Sequence, residues 1–428
     1  MIRCVIGSNY GDEGKGLAVD YLSLRAGKTL VVRHNGGAQS GHTVERPGKR
    51  FVFHELSSGS FCGADTYWAG SFLPDLYKLG EEADDFSALT GVMPRIYASS
   101  GCCVTTIDDV LINLLLESVR GSNRHGSCGM GINEAQLRKD AGFGLPLGTL
   151  CRMEEDEIRS ALFCLRTQYT RKRLAGLGLG GAPENEYGEM LGDGVVLERY
   201  AEEIFRNLRR IRIDGDPAAL FRAYDQVLFE NGQGLRLDAE FRESMPHVTA
   251  SRTGLVNAVR LLDDCGLRLD EAVYVTRTYL TKHGAGPLKN ECPEFPAERN
   301  IVDRTNVPNP WQGALRYAKW EDPEDLLGVI RSDLRNCPYP VSASLFVTHL
   351  NETGGRMVFR DAEPEIGRFA GELPSGLFDR LYLSSSRFSS DVVRRELRRP
   401  VSAEEEPSET DPPVVPGEEK ASGLSGPA

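Results

Sequence analysis

Six residues near the amino terminus, Gly11-Asp12-Glu13-Gly14-Lys15-Gly16, carry the parts of a phosphate cradle. Glycines let backbone N–H groups approach phosphate oxygens, and a helix beginning there adds positive potential at its first turn. Lys15 supplies a mobile cation. The run is not a Walker A loop, because Asn9 stands where the first glycine belongs and Gly16 where the Ser/Thr belongs. Carboxylates beside phosphate are costly unless a metal or a proton transfer uses them, which makes Asp12 and Glu13 candidates for chemistry. A second glycine segment, Gly36-Gly37-Ala38-Gln39-Ser40-Gly41-His42-Thr43, opens the backbone to a ligand just before an imidazole. Asp12 and His42, delivered by neighbouring loops, suit proton movement at two ends of one reacting group.

Loops of this kind need rigid elements to aim them. Residues 2–7 read as a buried strand and Leu17–Leu22 as a helix, so the first loop lies in a strand–loop–helix unit. Thr29–Arg33 reads as a second buried strand that ends at Gly36-Gly37. Further strands are expected over Asp225–Glu230, Ala272–Thr276 and Ser344–Thr348, and helices over Ile107–Val119 and Ala201–Arg212. Pro183–Gly194, rich in Gly and Glu, reads as an exposed loop or insertion. The pattern predicts an α/β fold with a large, mostly parallel central sheet flanked by helices, which places ligands at the carboxyl ends of its strands. From Pro400 the chain turns acidic and Pro/Ser/Gly-rich, so one catalytic domain is expected over 1–399 and a disordered tail over 400–428.

The formal charge of −12 argues against broad electrostatic binding to nucleic acid. No apolar run is long enough to span a bilayer, and no signal peptide fits ahead of the first strand, so a cytoplasmic protein without membrane partners is expected. Ten cysteines without CxxC or Cys/His zinc spacing read as reduced, mostly buried thiols.

Taken with five further segments, the two glycine loops resemble the adenylosuccinate synthetase family over about residues 1–395. Those segments are His54 with Ser58-Gly59, Gly126–Gly131, Phe229–Gly234 with Asp238, Val248–Ser251 and Gly284–Pro287. The resemblance implies a P-loop-related fold, a homodimer, and a Mg²⁺-dependent ligase of purine biosynthesis. Such an enzyme joins L-aspartate to C6 of a 6-oxopurine monophosphate after phosphorylating the oxygen. Carried onto this chain, it makes Asp12 the base at purine N1, His42 the acid at the triphosphate and Lys15 the neutralising cation. Gly11, Glu13, Gly14, Gly16, Gly41 and Thr43 would bind nucleotide phosphate, with Asp12 and the Gly41 carbonyl holding Mg²⁺. Gln39, Ser127, Cys128, Gln233 and Thr249 would contact the acceptor nucleotide, Arg304 and Thr305 the aspartate, and Thr348, Asn351 and Ser386 the donor base.

Departures from the family pattern bear on the substrates. Members that use GTP carry Thr-Lys-Leu-Asp, whose carboxylate accepts both guanine N–H groups, whereas this chain has Thr348-His349-Leu350-Asn351. An amide offers one carbonyl oxygen to two donors. The later Ser-Thr-Gly-Pro-Asp segment is replaced by Ser384-Ser385-Ser386-Arg387-Phe388, and an arginine-rich aspartate loop by residues 303–313. This pattern is similar to the viral branch, which makes a 2-aminoadenine precursor from dGMP and would act in host cytoplasm. The altered loops lean the reading to dGMP with ATP or dATP. The alternative is IMP with GTP, since Asp12 is retained where some viral members have Ser. A second alternative is an NTPase switch that needs no acceptor, and a third is a binding scaffold, which the joint presence of Asp12, Lys15 and His42 disfavours.

Overall fold

The computed structural model describes residues 1–397 except 122, 123, 182–184, 304, 307, 309 and 310. Arg304 and the expected tail over 400–428 therefore lie outside the described residues. The strands are β1 (Ile2–Gly7), β2 (Thr29–Arg33), β3 (His42–Arg46), β4 (Lys49–Phe53), β5 (Asp65–Trp68), β6 (Ile96–Ser99) and β7 (Ile211–Asp214), followed by β8 (Gln226–Gly234), β9 (Glu271–Arg277), β10 (Leu280–Lys282), β11 (Arg316–Ala318), β12 (Ser342–Thr348), β13 (Arg380–Leu383) and β14 (Val393–Glu396). Ten of them form one sheet in the order β14-β13-β12-β9-β1-β8-β2-β5-β6-β7. Every neighbouring pair is parallel except β13 with β14. The α/β fold with a large, mostly parallel sheet and flanking helices is thus the observed architecture.

Strand β1 shows why the centre of this sheet is apolar on both faces. Cys4 and Ile6 pack into one layer with Tyr274 of β9, Leu345 of β12 and Leu262. Val5, pointing the other way, packs with Val31, Leu228, Val273 and Phe346 against Ala18, Val19 and Leu22 of helix α1 (Lys15–Leu24). A central parallel strand buried on two sides reads as a continuous apolar run, which is how β1 looks in sequence. Helix α1 is buried almost all round, because β3 and β4 form a separate antiparallel hairpin, and α1 meets β3 across Gly16. A Cβ at Gly16 would lie 3.1 Å from His42 Cβ and 3.1 Å from the Thr43 carbonyl oxygen. The absent side chain at Gly16 lets the phosphate loop and His42 stand side by side.

Some expected boundaries shift. Helix Ile107–Arg120 matches its expectation and opens with a Thr106/Asp109 capping box. The helix expected over Ala201–Arg212 instead spans Gly194–Leu208, and Ile211–Asp214 is edge strand β7. Asp193 caps that helix at Val195 N–H, two turns before the basic stretch that suggested its start. Within Pro183–Gly194, residues Glu186–Gly192 are helical, capped by Asn185 accepting from Gly188 N–H, so the described part is not a loop. All ten cysteines are free, but only Cys4, Cys102, Cys103, Cys265 and Cys337 are buried, so half rather than most of the thiols are interior. No helix among the described residues is long and apolar enough to cross a membrane.

Candidate active site

The carboxyl ends of β1, β2, β9, β12 and β13 open onto one cavity of about 300 Å³. Its lining brings together Asp12, Gly14, Lys15 and Gly16 from the first loop with Gly41, His42 and Thr43 from the second. Arg277 at the end of β9, Thr348 at the end of β12 with His349 and Asn351 beyond it, and Ser384, Ser386 and Arg387 after β13 complete one wall. Asp303, Thr305 and Asn306 form another. A strand–glycine loop–helix unit at the carboxyl edge of a parallel sheet is a nucleotide-binding arrangement.

The phosphate loop is shaped from inside by Glu13. Its carboxylate is fully buried, accepts the N–H groups of Asn9 and Gly11 at 2.9 Å each, and takes Lys15 Nζ at 2.6 Å. Gly7 and Gly234 make the room, since a Cβ at either position would fall on that carboxylate. Glu13 does not line the cavity, so the expectation that it contacts phosphate is corrected: it already occupies two backbone donors that a phosphate would use. Gly11 is likewise not part of the lining and gives its N–H to Glu13. The free donors lie one turn later, where α1 begins at left-handed Gly14 without a side-chain cap. Thr348 Oγ1 donates to the Glu13 carbonyl at 2.7 Å. Its hydroxyl therefore braces the loop, while the residue also lines the cavity.

His42 is oriented by the core. Its Nδ1 lies 2.7 Å from Glu230 Oε1, and its Nε2 has no partner. Glu230 sits fully buried in the middle of β8, and accepts also from the Ser58 N–H, the Ser58 hydroxyl and Arg33. Burial raises the Glu230 carboxyl, but the charges of His42 and Arg33 and the hydrogen bonds from His42 and Ser58 outweigh it, leaving the pKa at about 2. An ionised Glu230 fixes the proton of His42 on Nδ1. Burial lowers the His42 pKa, Glu230 opposes that, and Arg33 and Lys15 add to the lowering.

Asp12 is held quite differently. It has a positive φ of 60°, an uncommon conformation for a side-chain-bearing residue. Arg277 Nε donates to its backbone carbonyl at 2.6 Å, and His283 Nε2 lies 3.1 Å from its Oδ2. Burial pushes its carboxyl up, but the His283 hydrogen bond and the charges of His283, Arg277 and Lys15 bring it to about 2.

The residues expected at the acceptor nucleotide form a second group outside this cavity. Gln39 accepts Gly37 N–H at 2.7 Å, while its Nε2 is buried without a partner. Gln233 and Thr249 touch through their side chains, and Ser127 Oγ donates to Asn113 at 3.1 Å. The loop holding Ser127 and Cys128 packs on Gly284, and Gly36 N–H donates to the Ser251 hydroxyl oxygen at 3.3 Å. Thus a chain of contacts leads from Asp12 through His283 and Gly284 to the loop 126–128. Thr305 lines the first cavity and accepts from Arg50 at 3.1 Å. Asn351 and Ser386 line it as well. Sequence reasoning passed over Arg33, Arg277, Glu230 and His283. An acid in the middle of an apolar strand, as at Glu230, was the readable signal among them.

Fold and site define a nucleotide-binding α/β enzyme, and comparison with known proteins narrows the class. A sequence model of adenylosuccinate synthetase matches residues 4–305. The adenylosuccinate synthetase of Talaromyces marneffei is 29% identical over 314 residues, 71% of this chain and 69% of that protein. That of Dichelobacter nodosus is 30% identical over 302 residues, 67% of this chain and 64% of that protein, so the chain spans about two thirds of the relatives it matches. Among solved structures, fully ligated adenylosuccinate synthetase from Plasmodium falciparum aligns with a TM-score of 0.61 at 20% identity, covering 93% of this chain and 88% of that one. Succinoaminodeoxyadenylate synthetase of cyanophage S-2L, bound to dGMP and to dATP as energy donor, aligns with a TM-score of 0.58 at 16% identity, covering 92% and 94%. The chain belongs to the adenylosuccinate synthetase family, ligases that form C–N bonds in purine biosynthesis.

Proposed function

We propose that this chain condenses L-aspartate with C6 of a purine monophosphate, driven by a nucleoside triphosphate through a 6-phosphoryl intermediate. The observation that carries this is one cavity lined by Asp12, Lys15 and His42, with His42 oriented by a buried carboxylate. A 6-oxo group leaves C6 poorly until it is phosphorylated, so two steps are needed. First the ionised Asp12 accepts the N1 proton, which makes O6 nucleophilic toward the γ-phosphorus. Polyphosphate beside His42 Nε2 adds negative charge that favours protonation there, while Glu230 keeps the other N–H. The protonated imidazole then donates to the oxygen between the β- and γ-phosphorus as the diphosphate leaves. Lys15 and the open N–H groups at the start of α1 take up charge on the transferred group. The amine of aspartate next displaces phosphate from C6, with Thr305 and Arg304 as its proposed contacts.

The donor set fits Mg²⁺. The Asp12 carboxylate and Gly41 carbonyl are hard oxygens, and among the described residues no three His, Cys, Asp or Glu side chains converge to hold a metal alone. That suits an ion that keeps waters and binds largely through substrate phosphates. When bound it would neutralise charge on those phosphates.

For the acceptor and donor we favour dGMP with ATP or dATP. Asn351 lines the donor cavity where an aspartate would serve guanine, and Ser384–Arg387 form the adjoining wall. The alternative, IMP with GTP, is favoured by the retained Asp12 and by relatives named adenylosuccinate synthetase. A matrix of IMP, GMP and dGMP against GTP, ATP and dATP, with aspartate and Mg²⁺, separates them through release of inorganic phosphate. The proposal expects turnover highest with dGMP and an adenine donor, and IMP with GTP in the lead would select the alternative. Phosphate release without aspartate or acceptor would select an NTPase switch. A homodimer is part of the reading, and sedentation-independent mass, from light scattering, at twice 47.1 kDa is the expected result.

A further inference from the structure

We infer that His283 is a positioning residue for this reaction, one that fixes the Asp12 carboxylate and ties it to the side chain of Asn306. The inference rests on the ligase reading and adds a residue to it. Antiparallel pairing of Lys282 with Arg316 sets the end of β10, and His283 follows at once, ahead of left-handed Gly284. Its Nε2 lies 3.1 Å from Asp12 Oδ2 and 3.0 Å from Asn306 Oδ1. Both neighbours are acceptors, and Nδ1 is buried without a partner. A proton on Nε2, shared between the two oxygens, accounts for all three facts.

Asn306 is itself anchored. Its N–H and side-chain amide donate to Asp303 Oδ1 and Oδ2 at 2.9 and 2.7 Å, and Thr305 N–H donates to the same carboxylate at 2.8 Å. Asp12, Asp303, Thr305 and Asn306 all line the cavity, whereas His283 stands behind them. One N–H therefore joins the base at purine N1 to the turn proposed to meet aspartate. It also occupies Oδ2, which leaves Oδ1 to face substrate. Because Asp12 already has an unusual backbone conformation, its side chain needs such a brace to hold one orientation. A rotated carboxylate would miss N1, and a displaced Thr305 and Asn306 would present aspartate poorly.

Steady-state kinetics on the full chain test this with His283→Ala, His283→Gln and Asn306→Ala. His283→Ala should lower kcat about 10- to 100-fold, the usual cost of removing a group that orients a functional one. It should also raise KM for aspartate by a larger factor than KM for the triphosphate. His283→Gln, whose side-chain N–H reaches the same two oxygens, should restore most of the lost rate. Asn306→Ala should raise KM for aspartate with little change in kcat. Wild-type kinetics in His283→Ala, or a Gln variant as impaired as the Ala variant, would overturn the inference. Nitrogen-15 spectra of the histidine rings give a readout that needs no turnover: the His283 signal, assigned by its loss in His283→Ala, should show a protonated Nε2 and shift in Asp12→Asn. An unshifted signal refutes the contact. Wild-type protein showing no aspartate-dependent phosphate release refutes the ligase reading instead, and the spectra still decide whether His283 holds Asp12.

Discussion

His42 and Asp12 face one cavity, yet the protein holds them by opposite means. His42 stands on a fully buried network in which Glu230, Arg33 and Ser58 come from the sheet and the turn behind it. Asp12 stands on a strained turn, partly exposed, and its partners Arg277 and His283 come from separate segments beyond β1. The difference suits the tasks proposed for them. A proton donor to the departing diphosphate works in one place, so it can be set into the core. A base at purine N1 must wait for a nucleotide, so its geometry depends on loops that the substrates themselves touch. Low dielectric around Glu230 strengthens its hold on the imidazole, and the strained turn keeps Asp12 from being absorbed into secondary structure.

The largest effect should come from breaking the loop-held side. Asp12→Asn keeps the shape and tolerates the positive φ, because asparagine visits that region readily. It cannot accept the N1 proton, so kcat should fall roughly 10²- to 10⁴-fold, the range for loss of a general base. Thermal stability should stay near wild type, measured by calorimetry on the same preparation. A variant with wild-type turnover would remove Asp12 from the mechanism.

Breaking the core-held side should cost less in rate and more in stability. Glu230→Gln leaves an oxygen for His42 Nδ1 but removes the charge that stabilises the protonated ring. We expect kcat lower by about 10- to 100-fold, as for other groups that orient a catalytic one. The buried Arg33 would lose its ionic partner, so the melting temperature should drop as well. If stability falls while kcat per folded molecule does not, Glu230 serves the fold alone.

These two sides were not equally readable from sequence. Asp12, Lys15 and His42 stood out because glycines flank them, and glycine runs at strand ends mark places where a ligand meets backbone. Strands β1 and β2 were legible for a related reason, since buried parallel strands are unbroken apolar runs. Glu230 lies in such a run, and its partner His42 is 188 residues away, so nothing local announces the pair. His283 sits beside glycines too, but its meeting with Asp12 depends on how β10 turns against β11, which residue spacing does not encode. Glu13 misled because a carboxylate near lysine looks like phosphate chemistry. Only the glycines at positions 7 and 234, far apart in sequence, reveal that it fills the loop from within.

A smaller effect should sharpen the account of the donor wall. Asn351→Asp supplies a second acceptor oxygen toward a guanine edge, so the ratio of kcat/KM for GTP over ATP should rise by about tenfold or more. Neither His42 nor Asp12 is disturbed, so turnover with the preferred donor should stay within the same order of magnitude. An unchanged ratio would place the donor base away from Asn351, and the adenine preference would need another explanation.

The smallest effect probes what backs the core-held side. Glu82, 4% exposed, accepts the N–H groups of His54, Glu55 and Leu56, the turn that leads to Ser58. Burial raises its carboxyl to about 7, against opposing hydrogen bonds from those same amides and the charge of Arg33. A carboxyl raised in the folded state holds its proton longer than in the unfolded chain. The stability it contributes is therefore present below its ordinary pKa of 4.5 and is lost as pH rises to about 7. At most about 3.5 kcal/mol is involved, taking each pKa unit as roughly 1.4 kcal/mol. Glu82→Gln has no proton to lose. Its melting temperature should start lower at pH 5, because an amide N–H faces backbone donors, and should decline less than wild type between pH 5 and pH 8. Parallel curves for the two proteins would mean that Glu82 is already ionised in the fold, with Arg33 balancing it across the turn that positions Ser58 against Glu230.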